Sequence, residues 1–391
     1  MPAKRKFELS KFLEVLSLRS VSTGVIARKI KCAQSTALRY LRELKKAKQV
    51  IEQRISNTIN LWKLTGKRIL LIDVDSTIPN LALMKISAYH KAKGDNVALI
   101  KLNLKRREKV NLIEKPDKIY ISVIFKKNKQ AVGDLVEQYP DLEIDIGGSG
   151  YDLKKELPSE IEAMRPDYTL YPEFDYSIGF SSRGCFRKCH FCIVHEKEGN
   201  FRRVQHPEEW YNPKFRKITF LDNNILADKQ WFMKITDWCI SKGLKAWFTQ
   251  GFDIRLVDEE IARCLYKIRN HHHMITFAWD YLADESTIRE KIELLKQAGF
   301  TKNMLRARIQ FYVYVDSDED YESGVYRCRE LKKLNCNSYV MYNIDNIATQ
   351  RIKDIQRWTI RKLFYWMNDV ADFKENIQAS KILKKLQRSS A

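Results

Sequence analysis

Little in this sequence punctuates or anchors it. Only 14 glycines and 9 prolines occur in 391 residues, which excludes collagen-like repeats and Pro/Gly-rich linkers. No stretch reaches the ~20 apolar residues that a membrane helix needs. The N-terminal MPAKRKFELS lacks the apolar core of a secretory leader. Acidic residues are also short, 49 Asp and Glu against 70 Lys and Arg, giving a net charge of +21. With 44% hydrophobic residues the chain can still bury two or three cores, since domains run about 100–200 residues. Eight cysteines without a leader point to a reducing cytosol, where clustered thiols bind metal more often than they pair. A cytoplasmic protein with no membrane partner is the expectation.

The positive charge is concentrated at the two ends. Residues 1–66 hold 15 Lys/Arg against 4 Asp/Glu, and residues 351–391 hold 10 against 4. A basic proteome would give the same net charge, but this distribution fits a polyanionic partner, DNA or RNA, gripped by residues 1–66 and the basic tail. Apolar residues recur at helical spacing through Phe7–Leu18, Val25–Ile30 and Ala37–Leu44. Two alternating stretches, Val50–Ile55 and Thr58–Leu64, follow around a turn at Ser56–Asn57. Three helices and a β-ribbon resemble a winged helix-turn-helix. That resemblance places the third helix in the major groove, with Ser35 and Thr36 near its start and Arg39, Tyr40 and Arg42 projecting from it. A small helical domain that docks proteins is the alternative.

From Gly66 onward strands alternate with helices, which predicts α/β architecture with parallel sheets. Residues 67–170 read as a Rossmann-like domain: KRILLIDVD, NVALIKLNL, KIYISVIF and LEIDIG are strands, and Leu81–Ala92 and Ala131–Tyr139 are helices. Residues 171–345 contain six further strand candidates: SIGFSS, KITFLD, AWFTQGF, MITFAWD, IQFYVYVD and SYVMYNI. The helices between them are Lys229–Lys242, Glu259–Lys267, Thr287–Ala298 and Tyr321–Lys333. Six such units describe a partial (β/α)6 barrel, whose chemistry belongs at the C-terminal ends of its strands. Residues 346–391 form a basic helical segment. In Arg357–Phe373 the rings of Trp358, Phe364, Tyr365 and Trp366 read as packing, with base stacking as the alternative.

The most specific signal is Arg183-Gly184-Cys185-Phe186-Arg187-Lys188-Cys189-His190-Phe191-Cys192, a C-x3-C-x2-C run directly after a predicted strand. Three thiolates on one short loop can each bind one iron of a cubane and leave the fourth iron without a protein ligand. A Cys3His zinc site completed by His195 or His190 is the alternative. Cys32, Cys239, Cys264, Cys328 and Cys336 are scattered and read as ordinary small residues.

This spacing, with Phe191 as the aromatic before the third cysteine, resembles the radical S-adenosylmethionine (SAM) superfamily over roughly residues 176–345. The resemblance implies a [4Fe–4S] cluster on Cys185, Cys189 and Cys192. It also implies SAM chelated to the open iron and cleaved reductively to a 5′-deoxyadenosyl radical, with flavodoxin or ferredoxin as electron donor. Phe191, Asp222, Asn223, Asn224, Gln250, Asp253 and Arg255 then become candidate cofactor contacts. Asp222-Asn223-Asn224 ends the second strand, where members contact the SAM amino group; a turn and helix cap is its other reading. Gln250–Arg255 follows the third strand. Arg255 could pair with the SAM carboxylate bidentately or with a neighbouring acid. Asp280, Asp316 and Asn343 close the later strands as weaker candidates.

In cobalamin-dependent members a Rossmann-like domain precedes the barrel and carries D-x-H-x-x-G. Here Asp73-Val74-Asp75-Ser76-Thr77-Ile78 puts Asp in place of His, which speaks against cobalamin, although Gly147-Gly148-Ser149-Gly150 is similar to that domain's glycine-rich loop. The same stretch is similar to the D-x-D-x-T of haloacid-dehalogenase-type phosphatases, with Asp73 as nucleophile; the later acidic pair that such enzymes need is missing. His271-His272-His273 reads as a loop without a metal role. The order of motifs from residue 145 onward resembles radical SAM proteins of microbes and their viruses. That likeness supports the chemistry and gives no substrate; the winged helix and the basic tail, as grips on phosphates, make modification of a nucleic acid the expected activity. Action on a peptide or small metabolite, or an iron–sulfur redox sensor that binds DNA, are the alternatives.

Overall fold

The computed structural model describes residues 7–16, 20–47, 49–56, 59–102, 115–272, 274–342 and 348–373, apart from 361, 366 and 368. It divides into two compact units, Met1–Phe174 and Asp175–Ala391.

The first unit begins with helices Leu9–Leu16, Thr23–Ile30 and Gln34–Lys46. Strands β1 (Val21–Ser22), β2 (Val50–Arg54) and β3 (Asn60–Leu64) form an antiparallel sheet in the order β1-β3-β2. Phe12, Ile26, Ala37, Leu41, Leu44 and Trp62 make the core here, and the Trp62 indole donates to Thr23 Oγ1 at 2.9 Å. Tyr40 belongs to that core too, which corrects the expectation that it projects outward. Its ring is 2% exposed, stacks on Phe12 at 5.0 Å and accepts the Phe7 N–H on its hydroxyl. Positions 37, 40, 41 and 44 form one stripe of a 3.6-residue helix, so Tyr40 points inward with its neighbours. Asn57 of the expected turn lies outside the described residues.

Four parallel strands follow: β4 (Arg68–Asp73), β5 (Asn96–Lys101), β6 (Lys118–Ser122) and β7 (Ile144–Gly147), ordered β5-β4-β6-β7. Alternation sorts their side chains. Leu70, Ile72, Ile119 and Ile121 pack with Val132 and Leu135 on one face. Ile69, Leu71 and Tyr120 pack with Leu83 and Ile86 of helix Leu81–Ala92 on the other. Both faces are covered, as a parallel sheet requires. The two aspartates of the D-x-D-x-T stretch serve the fold. Asp73 is 1% exposed and accepts from Tyr171 Oη at 2.8 Å and Ser76 N at 3.0 Å. Asp75 accepts from the backbone N–H of Ile124 and Phe125 and from Asn128 Nδ2. A phosphatase nucleophile needs an open face toward its substrate, and Asp73 has none.

The second unit contains β8 (Ser177–Gly179), the antiparallel pair β9 (Ser182–Arg183) and β10 (Arg202–Arg203), then β11 (Lys217–Phe220), β12 (Lys245–Phe248), β13 (Arg269–Asn270), β14 (Ile275–Ala278), β15 (Ile309–Tyr314) and β16 (Asn337–Met341). Parallel pairing runs β8-β11-β12-β13 and β14-β15-β16, and a Phe252–Phe277 bridge links the two runs. Helices Lys229–Ser241, Glu259–Lys267, Glu285–Gln297 and Tyr321–Lys333 lie between successive strands. Asp228 and Asp258 cap the first two by accepting backbone N–H groups, which satisfies donors that a helix start leaves open. Ile218, Phe220, Phe248, Phe277, Phe311 and Val340 of the strands share one core with Phe232, Ile261, Ile292 and Leu331 of the helices. Thus the fold is α/β with parallel sheets, as expected. Helix Lys302–Arg308 was not foreseen.

Ile352, Ile355 and Trp358 of helix Gln350–Ile360 enter the same core with Phe364 and Phe373. Trp358 is fully buried, so its ring is closed to base stacking. Asn343, His273, Trp366 and the tail 374–391 lie outside the described residues. No helix among the described residues is long and apolar enough to cross a membrane.

Candidate metal and cofactor site

The cysteine run leaves the C-terminal end of β8 and crosses the C-terminal ends of the neighbouring strands. Gly179 lets Trp210 close over it, because a Cβ there would lie 2.6 Å from the indole. Ser181 and Ser182 then deliver both backbone N–H groups and both hydroxyls to the Asp222 carboxylate, beyond the end of β11. Asp222 is 2% exposed; burial pushes its carboxyl above the usual range while the four donors pull it back. Gly184 turns the chain at φ +80, where a Cβ would strike the Asn200 carbonyl, and its N–H donates to Asn223 Oδ1 at 2.9 Å. Next comes Cys185, whose Sγ accepts from Asn224 Nδ2 and Arg187 N, each at 3.4 Å. The Asp-Asn-Asn run therefore grips the loop, one residue after another.

Further anchors come from later strands. Arg187 is ion-paired with Asp253 beyond β12. Asp253 also holds Arg255 Nε at 2.8 Å, and Arg255 Nη1 reaches Asp284 Oδ2 at 2.9 Å. Arg255 thus takes up the salt-bridge alternative. Phe191 stacks on Tyr314 of β15 at 3.9 Å and 19°, and Tyr314 Oη donates to Asp316 at 2.8 Å. His190 lies 3.4 Å from Asp316 and 3.3 Å from the Tyr281 hydroxyl. Gln250 is exposed, and its amide donates to Thr249 rather than to the loop.

Cys185, Cys189 and Cys192 are free thiols and half-buried. Burial and the neighbouring Asp280 push the Cys189 thiol up, and the charges of Cys192 and Cys185 add to this. Cys192 is raised mainly by burial. Asp280 is held at about 6 by burial, with Arg327 opposing the shift. Arg327 is itself fully buried and donates to the Trp279, Asp280 and Tyr314 carbonyls, which fixes the ends of β14 and β15 beside the cysteines. Among the described residues no three His, Cys, Asp or Glu side chains converge on one point as a single ion requires. A cubane spreads its irons over separate sulfurs. Asn224 Oδ1 is buried without a hydrogen-bond partner, beside Cys185, and such an acceptor is costly to leave unmet. The donor set and this orphaned acceptor fit a metal cluster with a polar ligand.

Sequence reasoning missed Ser181, Ser182, Arg187, Tyr281, Asp284 and Tyr314. Their contacts with the site join residues up to 123 positions apart, and no local spacing encodes that. On the first unit, Ser35, Arg39 and Arg42 are exposed along helix Gln34–Lys46 and Thr36 is half-buried, so four of the five expected contacts lie toward solvent.

No family model matches this chain, and no curated protein does. Among solved structures it is similar to the ornithine carbamoyltransferase from Pyrococcus furiosus, at 12% identity over 65% of this chain and 73% of that one, with a TM-score of 0.20. A second is an N-acetyl-L-ornithine transcarbamylase bound to carbamyl phosphate and N-succinyl-L-norvaline, at 9% identity over 63% and 77%, with a TM-score of 0.18. Likenesses this weak carry no argument about fold or function.

Proposed function

We propose that this chain is a radical SAM enzyme that modifies a nucleic acid, with a partial barrel in its second unit and a winged helix at its start. One observation carries the reading: a C-x3-C-x2-C loop is tied by Asp222, Asn223, Asn224, Asp253 and Tyr314 to the C-terminal ends of three parallel strands. Cys185, Cys189 and Cys192 would hold a [4Fe–4S] cluster, leaving one iron for the amino and carboxylate groups of SAM. Such a cluster, when bound, would supply the electron for reductive cleavage of SAM and so give access to hydrogen-abstraction chemistry at unactivated C–H bonds.

The chain's own residues position and shield. Asp222 and Asn223 fix the backbone ahead of Cys185. Arg187, Asp253, Arg255 and Asp284 form an alternating charge chain that holds the loop over the strand ends without leaving a buried charge unpaired. Phe191 and Tyr314 cover one side of the loop with stacked rings and exclude water there. Asn224 presents a buried carbonyl to whatever sits beside Cys185, a suitable acceptor for an ammonium group. Exposed Arg39 and Arg42, on a helix in the most basic part of the chain, favour a nucleic-acid partner.

The test is anaerobic reconstitution with iron and sulfide, followed by metal analysis. The reading expects a brown protein absorbing near ~400 nm, with iron and sulfide in cubane proportion and the colour lost in Cys189→Ala. A colourless protein with one zinc per chain would overturn it.

A further inference from the structure

A second surface, at the end of the parallel sheet in the first unit, has no role in the reading above. Beyond β6, Ile124 and Phe125 are exposed, and beyond β7 so is Tyr151; both rings keep 39% of their surface. Large rings are usually turned inward, and here each is accompanied by a lysine. Lys127 Nζ lies 5.6 Å from the Phe125 ring and Lys129 Nζ 4.9 Å from that of Tyr151. Lys126 and Lys154 are exposed on the same two loops. Local acids are few: Asp145 is ion-paired with Lys155, Asp152 accepts the Lys154 N–H, and Glu156 is exposed.

The backbone that carries the rings is held from beneath. Asp75 accepts the N–H groups of Ile124 and Phe125 and the Asn128 amide. The Gly148–Tyr151 turn is pressed against the same loop, since Gly150 N donates to Val123 O at 3.0 Å. A Cβ on Gly148 would lie 2.2 Å from Val123 O, and one on Gly150 would lie 2.6 Å from the Phe125 backbone. The D-x-D-x-T and Gly-Gly-Ser-Gly motifs therefore share one task, which is to lock together the backbones of the two loops that carry Phe125 and Tyr151. A backbone already ordered lowers the ordering cost of binding.

We propose that this surface is a platform for single-stranded nucleic acid, on which Phe125 and Tyr151 stack bases and Lys127, Lys129 and Lys154 meet phosphates. Aromatic faces among lysines give sequence-tolerant binding of unpaired bases, whereas a duplex keeps its bases inside. Charge complementarity selects a polyanion, and two exposed rings on braced loops suit flat bases better than the fluid interior of a membrane. The proposal rests on the nucleic-acid reading and assigns it a second contact, separate from residues 1–66.

The experiment is fluorescence anisotropy on the full chain with labelled oligouridylate, oligothymidylate and a duplex DNA. Vesicles containing phosphatidylserine are titrated in parallel. Phe125→Ala/Tyr151→Ala is expected to weaken single-strand binding on the order of 10- to 100-fold, with duplex binding retained. Phe125→Trp/Tyr151→Phe is expected to restore it, and matched circular dichroism shows that both variants fold. Tight single-strand binding unchanged in the double-Ala variant would overturn the platform and leave the nucleic-acid reading standing. Binding of no nucleic acid, with ring-dependent binding of vesicles, would overturn both.

Discussion

Replacing Asp222 by Ala should release the cysteine loop from its foundation. The carboxylate is buried and receives four hydrogen bonds from Ser181 and Ser182. The two hydroxyls can turn to other partners, but the two backbone N–H groups cannot. Each stranded donor costs about 1–3 kcal/mol, so the substitution should cost about 2–6 kcal/mol in all, a large part of a typical ~5–15 kcal/mol. For a unit of this size that lowers the thermal midpoint by roughly 10 °C. Asp222→Asn keeps an oxygen acceptor and should lose about half as much. Because Gly184 and Cys185 follow directly, iron retained after anaerobic reconstitution should fall in the same order, wild type above Asn above Ala. The assays are calorimetry of the metal-free protein and iron analysis of the reconstituted one. Full iron content and an unchanged midpoint in Asp222→Ala would refute the view that this carboxylate holds the loop.

Tyr40→Ala should behave as a core truncation, costing about 3–5 kcal/mol; a variant of wild-type stability with weakened nucleic-acid binding would return Tyr40 to the surface. Arg39→Ala/Arg42→Ala should fold normally but weaken duplex binding and reduce the slope of log affinity against log salt by about 2, read by anisotropy at several salt concentrations. His271 is held down to about 4 by burial, with Thr219 Oγ1 at 3.0 Å and a Tyr176 ring beside it. Below pH ~6.5 the unfolded chain takes up a proton that the folded chain refuses, so stability is intact above that pH and falls as pH drops toward 4. Allowing for partial solvent contact, the loss is about 2–3 kcal/mol. Urea midpoints from pH 7 to 4.5 should show it, and His271→Gln should flatten the profile.

Much of the second unit could be read from the chain because its signals are local. Strand runs such as KITFLD end in polar residues, and helix Lys229–Ser241 starts at a capping Asp228. The cysteine loop announced itself by spacing alone. The role of its neighbours did not. Asp222 and Asn223 looked like ligand contacts, yet the structure turns their side chains to the loop backbone, a pairing across about forty residues that only the fold can create. Arg255 was open to two readings, and Asp253 and Asp284 take up its guanidinium. Tyr40 was misjudged against its own helical spacing, because a tyrosine between two arginines invites an outward reading. Asp75 shows the reverse: a stretch that is only similar to a catalytic motif is a brace for the loop carrying Phe125.

The central claim is that the cysteine loop supports reductive cleavage of SAM. Its most direct test is to add SAM and dithionite to the reconstituted protein under anaerobic conditions and quantify 5′-deoxyadenosine. The account predicts that the nucleoside forms in wild type and disappears in Cys189→Ala. An intact iron–sulfur protein that releases none, with or without nucleic acid, would contradict it and favour an iron–sulfur sensor that binds DNA.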